Sequence, residues 1–227
     1  MTTKLTHHSQ SHSVCALVSA GLDSCVMLAE LAKHYRRVHP VFIRQGLFWE
    51  ETELHHLRRF LRSARISHEP LTILHVPVRD LYGTHWSTTG KRVPGAATTD
   101  AAVYLPGRNL LLLSKAAVFC AQNSIGAMAI GSLGHNPFAD ATPEFFRLFS
   151  HAAGAALDFT LQIVAPFRNL TKRQVVRRGL RLGLPLHLSF SCLAPRRALH
   201  CGGCNKCAER RRAFHELGVE DKTKYLN

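Results

Sequence analysis

From residue 14 onward, apolar runs of five or six residues alternate with longer stretches of helical period. This alternation constrains the fold more than any other feature, because strands joined through helices run parallel in a sheet covered on both faces. The runs at 14–18, 38–43, 71–76, 127–131 and 161–165 read as strands. Helices are expected over 24–37, where Val26, Met27, Leu28, Leu31 and Tyr35 share a face, and over 51–65, 109–123 and 143–157. Thr142 as cap and Pro143 at the first helical position mark the start of the last of these. A further helix opens at Thr171 with Gln174 three residues on, a capping box that Leu170 can staple onto Val175, and it ends near Gly183. Between 79 and 105 the rhythm breaks. Gly83, Gly90, Pro94, Gly95 and the Lys91-Arg92 pair predict a long loop there, either substrate-facing or an insertion without a role. The expected fold is α/β, a mostly parallel, doubly wound, Rossmann-like sheet spanning residues 14–188. Residues 1–13 read as a disordered tail, and residues 189–227 as a cysteine-rich C-terminal segment packed on the same domain.

With 46% hydrophobic residues, 227 residues can bury a sizeable core. No run reaches the ~18 apolar residues of a membrane span, and the polar start does not resemble a secretory leader, so a cytoplasmic protein without a membrane partner is expected. The formal net charge is +14, and 14 basic residues against four acidic ones fall between Arg168 and Asn227. Such a field attracts polyanions, either nucleotide phosphates or tRNA. Nucleic acid is the less favoured partner, because only Phe190, Phe214 and Tyr225 are available there for stacking on bases.

Ser19-Ala20-Gly21-Leu22-Asp23-Ser24, followed by Cys25, sits where the first strand gives way to the first helix. At that edge of a parallel sheet, a helix N-terminus offers amide donors and partial positive charge to a phosphate. Gly21 admits close backbone approach, Ser19 and Ser24 add hydroxyls, and Asp23 can cap the helix or help hold magnesium. A Walker loop is absent, since the one Gly-Lys pair, Gly90-Lys91, is followed by Arg92. The loop is similar to the Ser-Gly-Gly-x-Asp-Ser loop of the pyrophosphate-loop ATP-using enzymes, which cleave ATP between its α and β phosphates. Ala20 departs from that pattern. If the position needs positive φ, alanine is strained there by ~1 kcal/mol or more.

Cys192, Cys201, Cys204 and Cys207 form a C-x8-C-x2-C-x2-C cluster in which Gly202 and Gly203 let the backbone fold the ligands onto one centre. Four thiolates suit tetrahedral zinc in a closed structural site; an iron–sulfur cluster uses the same ligands, and a redox pair of Cys204 and Cys207 is a further reading. His200 stands close enough to replace one cysteine but reads as a bystander. Cys15, Cys25 and Cys120 read as core residues.

The loop at 19–24, Leu105-Pro106-Gly107-Arg108-Asn109-Leu110 and Ser191-Cys192 with the later cysteines together resemble the 7-cyano-7-deazaguanine synthase family from Val14 to Tyr225. That resemblance implies a pyrophosphate-loop fold of the adenine-nucleotide alpha hydrolase type. It places ATP on residues 19–25 and ATP or substrate on Arg108 and Asn109, with Asp23, Ser24 and Arg108 catalytic. It also implies a substrate loop containing Gly131, His135, Asn136, Phe138 and Asp140. Two stretches depart from the family: Asn136-Pro137-Phe138-Ala139 ahead of Asp140, and Arg44-Gln45-Gly46 leading to Trp49-Glu50-Glu51.

The implied reaction uses ATP and magnesium to adenylate 7-carboxy-7-deazaguanine, and ammonia then yields the amide and, after a second activation, the nitrile. Activation is needed because a carboxylate does not expel oxide. A relative that passes a deazapurine acid to another amine is the nearest alternative. A tRNA-modifying enzyme and a non-catalytic nucleic-acid-binding module remain as further readings. A homodimer is the expected assembly.

Overall fold

Five strands, β1 (Ser13–Leu17), β2 (Arg37–Arg44), β3 (Thr72–His75), β4 (Ala127–Ala129) and β5 (Gln162–Val164), form one sheet in the order β3-β2-β1-β4-β5. Every neighbouring pair is parallel. The computed structural model describes residues 12–134 and 136–226, so the expected N-terminal tail lies, up to residue 11, outside the described residues. The helices are α1 (Leu22–His34), α2 (Glu50–Ser63), the short α3 (Arg79–Tyr82) and α4 (Trp86–Thr89), α5 (Arg108–Gln122), α6 (Pro143–Leu157), α7 (Lys172–Arg181) and α8 (Asn205–His215).

Side chains alternate across the pleat, so Val14 and Ala16 of β1 face one core and Cys15 and Leu17 the other. The first core takes α1, α2, α7 and the end of α8; the second takes α5 and α6. After β3 the chain crosses to the far side of β1, where the strand order reverses. The helices after β1 and β4 therefore cover opposite faces, and a crevice opens between the carboxyl ends of those two strands. Thr142 accepts the Phe145 amide at 3.1 Å, and the Thr171–Gln174 capping box is complete.

Helix α1 ends three residues before β2, earlier than periodicity suggests, because Tyr35 is already extended and Arg37 pairs with Ser13 in the sheet. The 79–105 segment is not a plain loop. It holds α3, α4 and a 3₁₀ turn, Asp100–Val103, each too short to show a helical period. It is tied down by Trp86 stacking on Trp49 with ring centroids 5.8 Å apart, by the Asn205 amide donating to Pro94 O at 2.9 Å, and by Asn205 Nδ2 donating to Thr98 O at 2.8 Å.

The sequence contains no apolar stripe for α8, whose buried face carries Asn205, Cys207, Arg210, Ala213 and Phe214. Arg210 is 1% exposed and donates to both Asp221 oxygens, at 2.9 and 3.1 Å, to Ser189 Oγ and to Leu186 O. The basic residue is thus the core of that packing. Among the described residues no helix is long and apolar enough to cross a membrane.

Candidate active site

The 19–24 loop caps the crevice. Ser24 Oγ donates to Ser19 O at 2.8 Å and accepts the Ser19 amide at 3.1 Å, while Ser19 Oγ accepts the Gly21 amide at 3.0 Å. The first helical bond runs from Cys25 N to Gly21 O at 3.0 Å, so the amides of the first turn point into the crevice without helical acceptors. Ala20 is fully buried and has ordinary negative φ, which removes the strain that the sequence raised. Cys25 turns away: its thiol donates to Ala20 O at 3.3 Å, and burial pushes its pKa well above the ordinary thiol value. Cys15 and Cys120 are buried in the second core, as expected.

Three cavities meet at Asp23. The first, about 230 Å³, lies at the ends of β1, β2 and β4, between Ser19, Gly21, Ser24, Arg108, Asn109 and Gly131, with Val18, Phe42 and Ile130 as apolar wall. The second, about 260 Å³, is aromatic: Trp49, Trp86, Phe138 and Phe190 line it, together with Glu53, Arg108 and Leu22. The third, about 420 Å³, is bounded by Asn136, Phe138, Lys172, Arg173, Lys206 and Arg212. Gly131 stands against the 19–24 loop, where a Cβ would make ordinary contact at 3.4 Å from Asp23 C and Ser24 N. His135 lies outside the described residues.

Where the cavities join, Lys172 Nζ stands 2.5 Å from Asp23 Oδ2 and 3.3 Å from Glu209, which also holds Lys206 at 2.9 Å. Burial works against the Lys172 charge, but Asp23 and Glu209 hold its pKa above the ordinary lysine range. Burial raises Asp23, with Lys172 opposing, whereas the two lysines outweigh burial at Glu209 and hold it down at about 2. Asp23 Oδ1 is buried without a partner among the described residues. Part of the basic C-terminal charge is therefore spent inside the molecule, on Lys172, Lys206 and Arg210.

Arg108 and Asn109 begin α5, as the sequence indicated. Arg108 Nε donates to Gln45 Oε1 at 3.1 Å. Asp140 accepts the Asn109 amide at 2.9 Å and Asn109 Nδ2 at 3.4 Å. Its carboxylate, expected on the substrate, is therefore engaged in capping α5 from 31 residues away. Gly131, Asn136 and Phe138 do line cavities. In the divergent 44–51 stretch, Glu50 accepts the amides of Gln45, Gly46 and Leu47 at 2.8, 2.6 and 3.1 Å and pairs with Arg44, fixing the β2–α2 turn.

Sequence reasoning missed Lys172, Glu53, Glu209 and, apart from Phe138, the aromatic walls. Two of these left a signal. A lysine directly after a helix cap opposes the macrodipole, and Glu53 falls on the buried stripe of α2 with Leu54, Leu57 and Phe60. Trp86 left none, because its segment has no period.

The four cysteine sulfurs lie within 4.8 Å of one another, three of the residues buried. Backbone amides surround them: Cys201 N and Ala194 N donate to Cys192 Sγ at 3.2 and 3.3 Å, and Leu193 N donates to Cys204 Sγ at 3.4 Å. His200 is buried and points elsewhere, with Nε2 accepting the Ser191 amide at 3.0 Å. The cluster is a metal-binding centre made of four thiols.

A doubly wound parallel sheet with this serine–aspartate turn at its switch point defines a pyrophosphate-loop, ATP-using protein. The family model described as queuosine biosynthesis protein QueC matches residues 13–218, and the chain belongs to that family. A relative from Methanothermobacter thermautotrophicus named 7-cyano-7-deazaguanine synthase is 31% identical over 221 residues, covering 92% of this chain and 97% of its own. One of the same name from Syntrophobacter fumaroxidans is 32% identical over 92% of this chain and 94% of its own. Among solved structures, the U34-tRNA thiolase NcsA from Methanococcus maripaludis with its [4Fe-4S] cluster is similar in fold. Its TM-score is 0.53 at 13% identity, over 96% of this chain and 77% of that one.

Proposed function

We propose that this chain adenylates 7-carboxy-7-deazaguanine with ATP and converts it with ammonia to 7-cyano-7-deazaguanine, the product in the name of its relatives. The observation that carries this reading is the meeting of a cavity at the sheet's switch point with an aromatic cavity at the 19–24 loop. The first suits a nucleotide, with Val18, Phe42 and Ile130 for its base and the loop amides and serine hydroxyls for its phosphates. The second suits a planar heterocycle between Trp49, Trp86, Phe138 and Phe190. The acid's carboxylate then reaches the α-phosphate beside Arg108 and Lys172, which stabilise the charge that develops.

Carboxylate oxygen attacks the α-phosphorus and pyrophosphate leaves. Ammonia attacks the acyl carbon, and AMP leaves to give the amide. A second adenylation, on the amide oxygen, with pyrophosphate leaving, followed by loss of AMP and of both protons on nitrogen, gives the nitrile. Both rounds need the purine held in place, and the aromatic walls serve that purpose.

Asp23 lines all three cavities, and its buried Oδ1 has no partner among the described residues, which supports Asp23 as a ligand for the magnesium that neutralises the ATP phosphates. Cys192, Cys201, Cys204 and Cys207 fit zinc. Four sulfurs ~2.3 Å from one ion lie about 3.8 Å apart, well inside the 4.8 Å spread, whereas one thiolate on each of four irons needs a wider cage. The metal would join the 192–194 turn to α8, a structural role. We take residues 14–188 as the ATP-binding unit and 189–227 as the metal-binding segment. The exposed Leu110 and Val118 of α5 and Leu148 of α6 support a homodimer through that face.

The test is incubation with ATP, magnesium, ammonia and the acid, with products read by mass spectrometry. AMP and the nitrile are expected; amide as the end product, or no acid-dependent AMP, overturns the reading.

A further inference from the structure

We infer that Glu53 is the general base for the nitrogen nucleophile, taking the proton that the nitrogen sheds as it attacks the acyl-adenylate. This rests on the proposed function and assigns a residue to its amidation step. Glu53 is 9% exposed, and its carboxylate makes no hydrogen bond or ion pair among the described residues. Burying a carboxylate without a partner is costly, and packing alone is better served by an apolar side chain on that stripe. Its neighbour one turn earlier shows the contrast, since Glu50 spends its oxygens on three amides and Arg44.

The position is informative as well. Glu53 is in the wall shared by the nucleotide cavity and the aromatic cavity, where an activated carboxyl of a substrate in the second must meet the phosphates held in the first. Three carboxylates line those two cavities: Asp23, Glu53 and Glu209. Asp23 is bonded to Lys172, and Glu209 to Lys172 and Lys206. With a lysine on its Oδ2, Asp23 is the proposed magnesium ligand through Oδ1, and Glu209 is held by two lysines, so both are committed elsewhere when the attacking nitrogen sheds its proton. The charged groups acting on Glu53 are Arg108 from α5 and Glu50 from its own helix; Glu53 acts in turn on the buried Cys25 thiol of α1, and Asp23 lines the same two cavities. Arg108 directs its Nε to Gln45 and closes no salt bridge on Glu53.

In the step, the C–N bond forms as nitrogen attacks, and the positively charged nitrogen gives one proton to the Glu53 carboxylate. The carbonyl re-forms as the C–O bond to AMP breaks, with AMP taking the electron pair. The protonated Glu53 then returns its proton to water through the cavity. Burial lifts this carboxyl to about 7, with Arg108 lowering it and Glu50 raising it, which suits a group that must both take and release a proton near neutral pH.

The test compares Glu53→Gln with the unaltered protein in three assays: acid-dependent exchange of pyrophosphate into ATP, product formation with ammonia, and hydroxamate formation with hydroxylamine. The electron-withdrawing oxygen of hydroxylamine makes its nitrogen far more acidic once it has attacked and become positively charged, so it sheds its proton to water and needs little help from a base. The expected result is exchange within about threefold of the parent, an ammonia rate lower by ~10²–10⁴, and a hydroxamate rate lower by less than about fivefold. Glu53→Asp, which keeps the charge, is expected to recover about tenfold of the ammonia rate over Glu53→Gln. Equal falls with ammonia and hydroxylamine, an unchanged ammonia rate, or loss of exchange confined to the variant overturns the inference alone. Absence of acid-dependent exchange in the unaltered protein overturns the proposed function and this inference with it.

Discussion

Replacing Asp140 with asparagine separates two roles for one carboxylate. In the structure Asp140 is 8% exposed and its oxygens accept the amide of Asn109 at 2.9 Å and the Asn109 side chain at 3.4 Å. Helix α5 has no cap of its own, because Gly107 precedes it with φ of 70° and no side chain. Asparagine keeps one acceptor for the amide but loses the charge at the helix N-terminus. It also sets an NH₂ group against the Asn109 donor. A bond to a charged acceptor contributes about 1.5–3 kcal/mol against about 1 for a neutral one, and the interaction with the helix dipole overlaps with that difference. The expected loss is therefore about 1–2 kcal/mol, or ~2–8 °C in Tm for a chain of this size. Because Arg108 and Asn109 line the nucleotide cavity, slack at the start of α5 should also lower kcat/KM for ATP by about tenfold, equivalent to ~1.4 kcal/mol. The KM of the acid should stay put. Thermal melting and steady-state kinetics with each substrate varied are the assays. An unchanged Tm with the acid's KM raised tenfold or more would refute the capping argument and return Asp140 to the substrate.

Purified protein should carry one zinc ion per chain by elemental analysis, and Cys204→Ser should lower Tm and metal content together; iron with a visible absorption band would contradict the assignment. Lys172→Met should cut pyrophosphate exchange by about 10²–10³, because a buried cation at the phosphate junction is lost, and an exchange rate within a few-fold of the parent would remove Lys172 from the site. Trp86→Ala should raise the KM of the acid by about tenfold or more while ATP binding persists, since stacking contributes about 1–3 kcal/mol. Against burial, the Arg210 guanidinium and the Tyr225 hydroxyl hold the Asp221 carboxyl at about 2, below the ordinary ~3.9, so its stabilisation is complete above pH ~4 and fades as pH falls towards 2. The difference in melting temperature between parent and Asp221→Asn should shrink across that window; a difference constant down to pH 2 would show that Asp221 is not held ionised by Arg210.

The sequence alone determined whatever depends on local periodicity and spacing. The alternation of strand and helix specified a parallel sheet, the Thr171–Gln174 pair specified the start of α7, and the spacing of Cys192, Cys201, Cys204 and Cys207 specified a shared centre. The loop at 19–24 was legible for the same reason, as six adjacent residues at a strand-to-helix turn. Tertiary structure decided which distant groups meet. Lys172 stands 149 residues from Asp23, and the bond between them exists only because α7 packs on α1. Trp86 joins Trp49 through short helices that carry no period, and Asp140 is directed to α5 by a turn whose geometry no motif encodes. A carboxylate or cation on a surface and one in a cavity are the same letter in a sequence. Burial and the nearest opposite charge give them different chemistry, and both are set by packing between elements far apart in the chain.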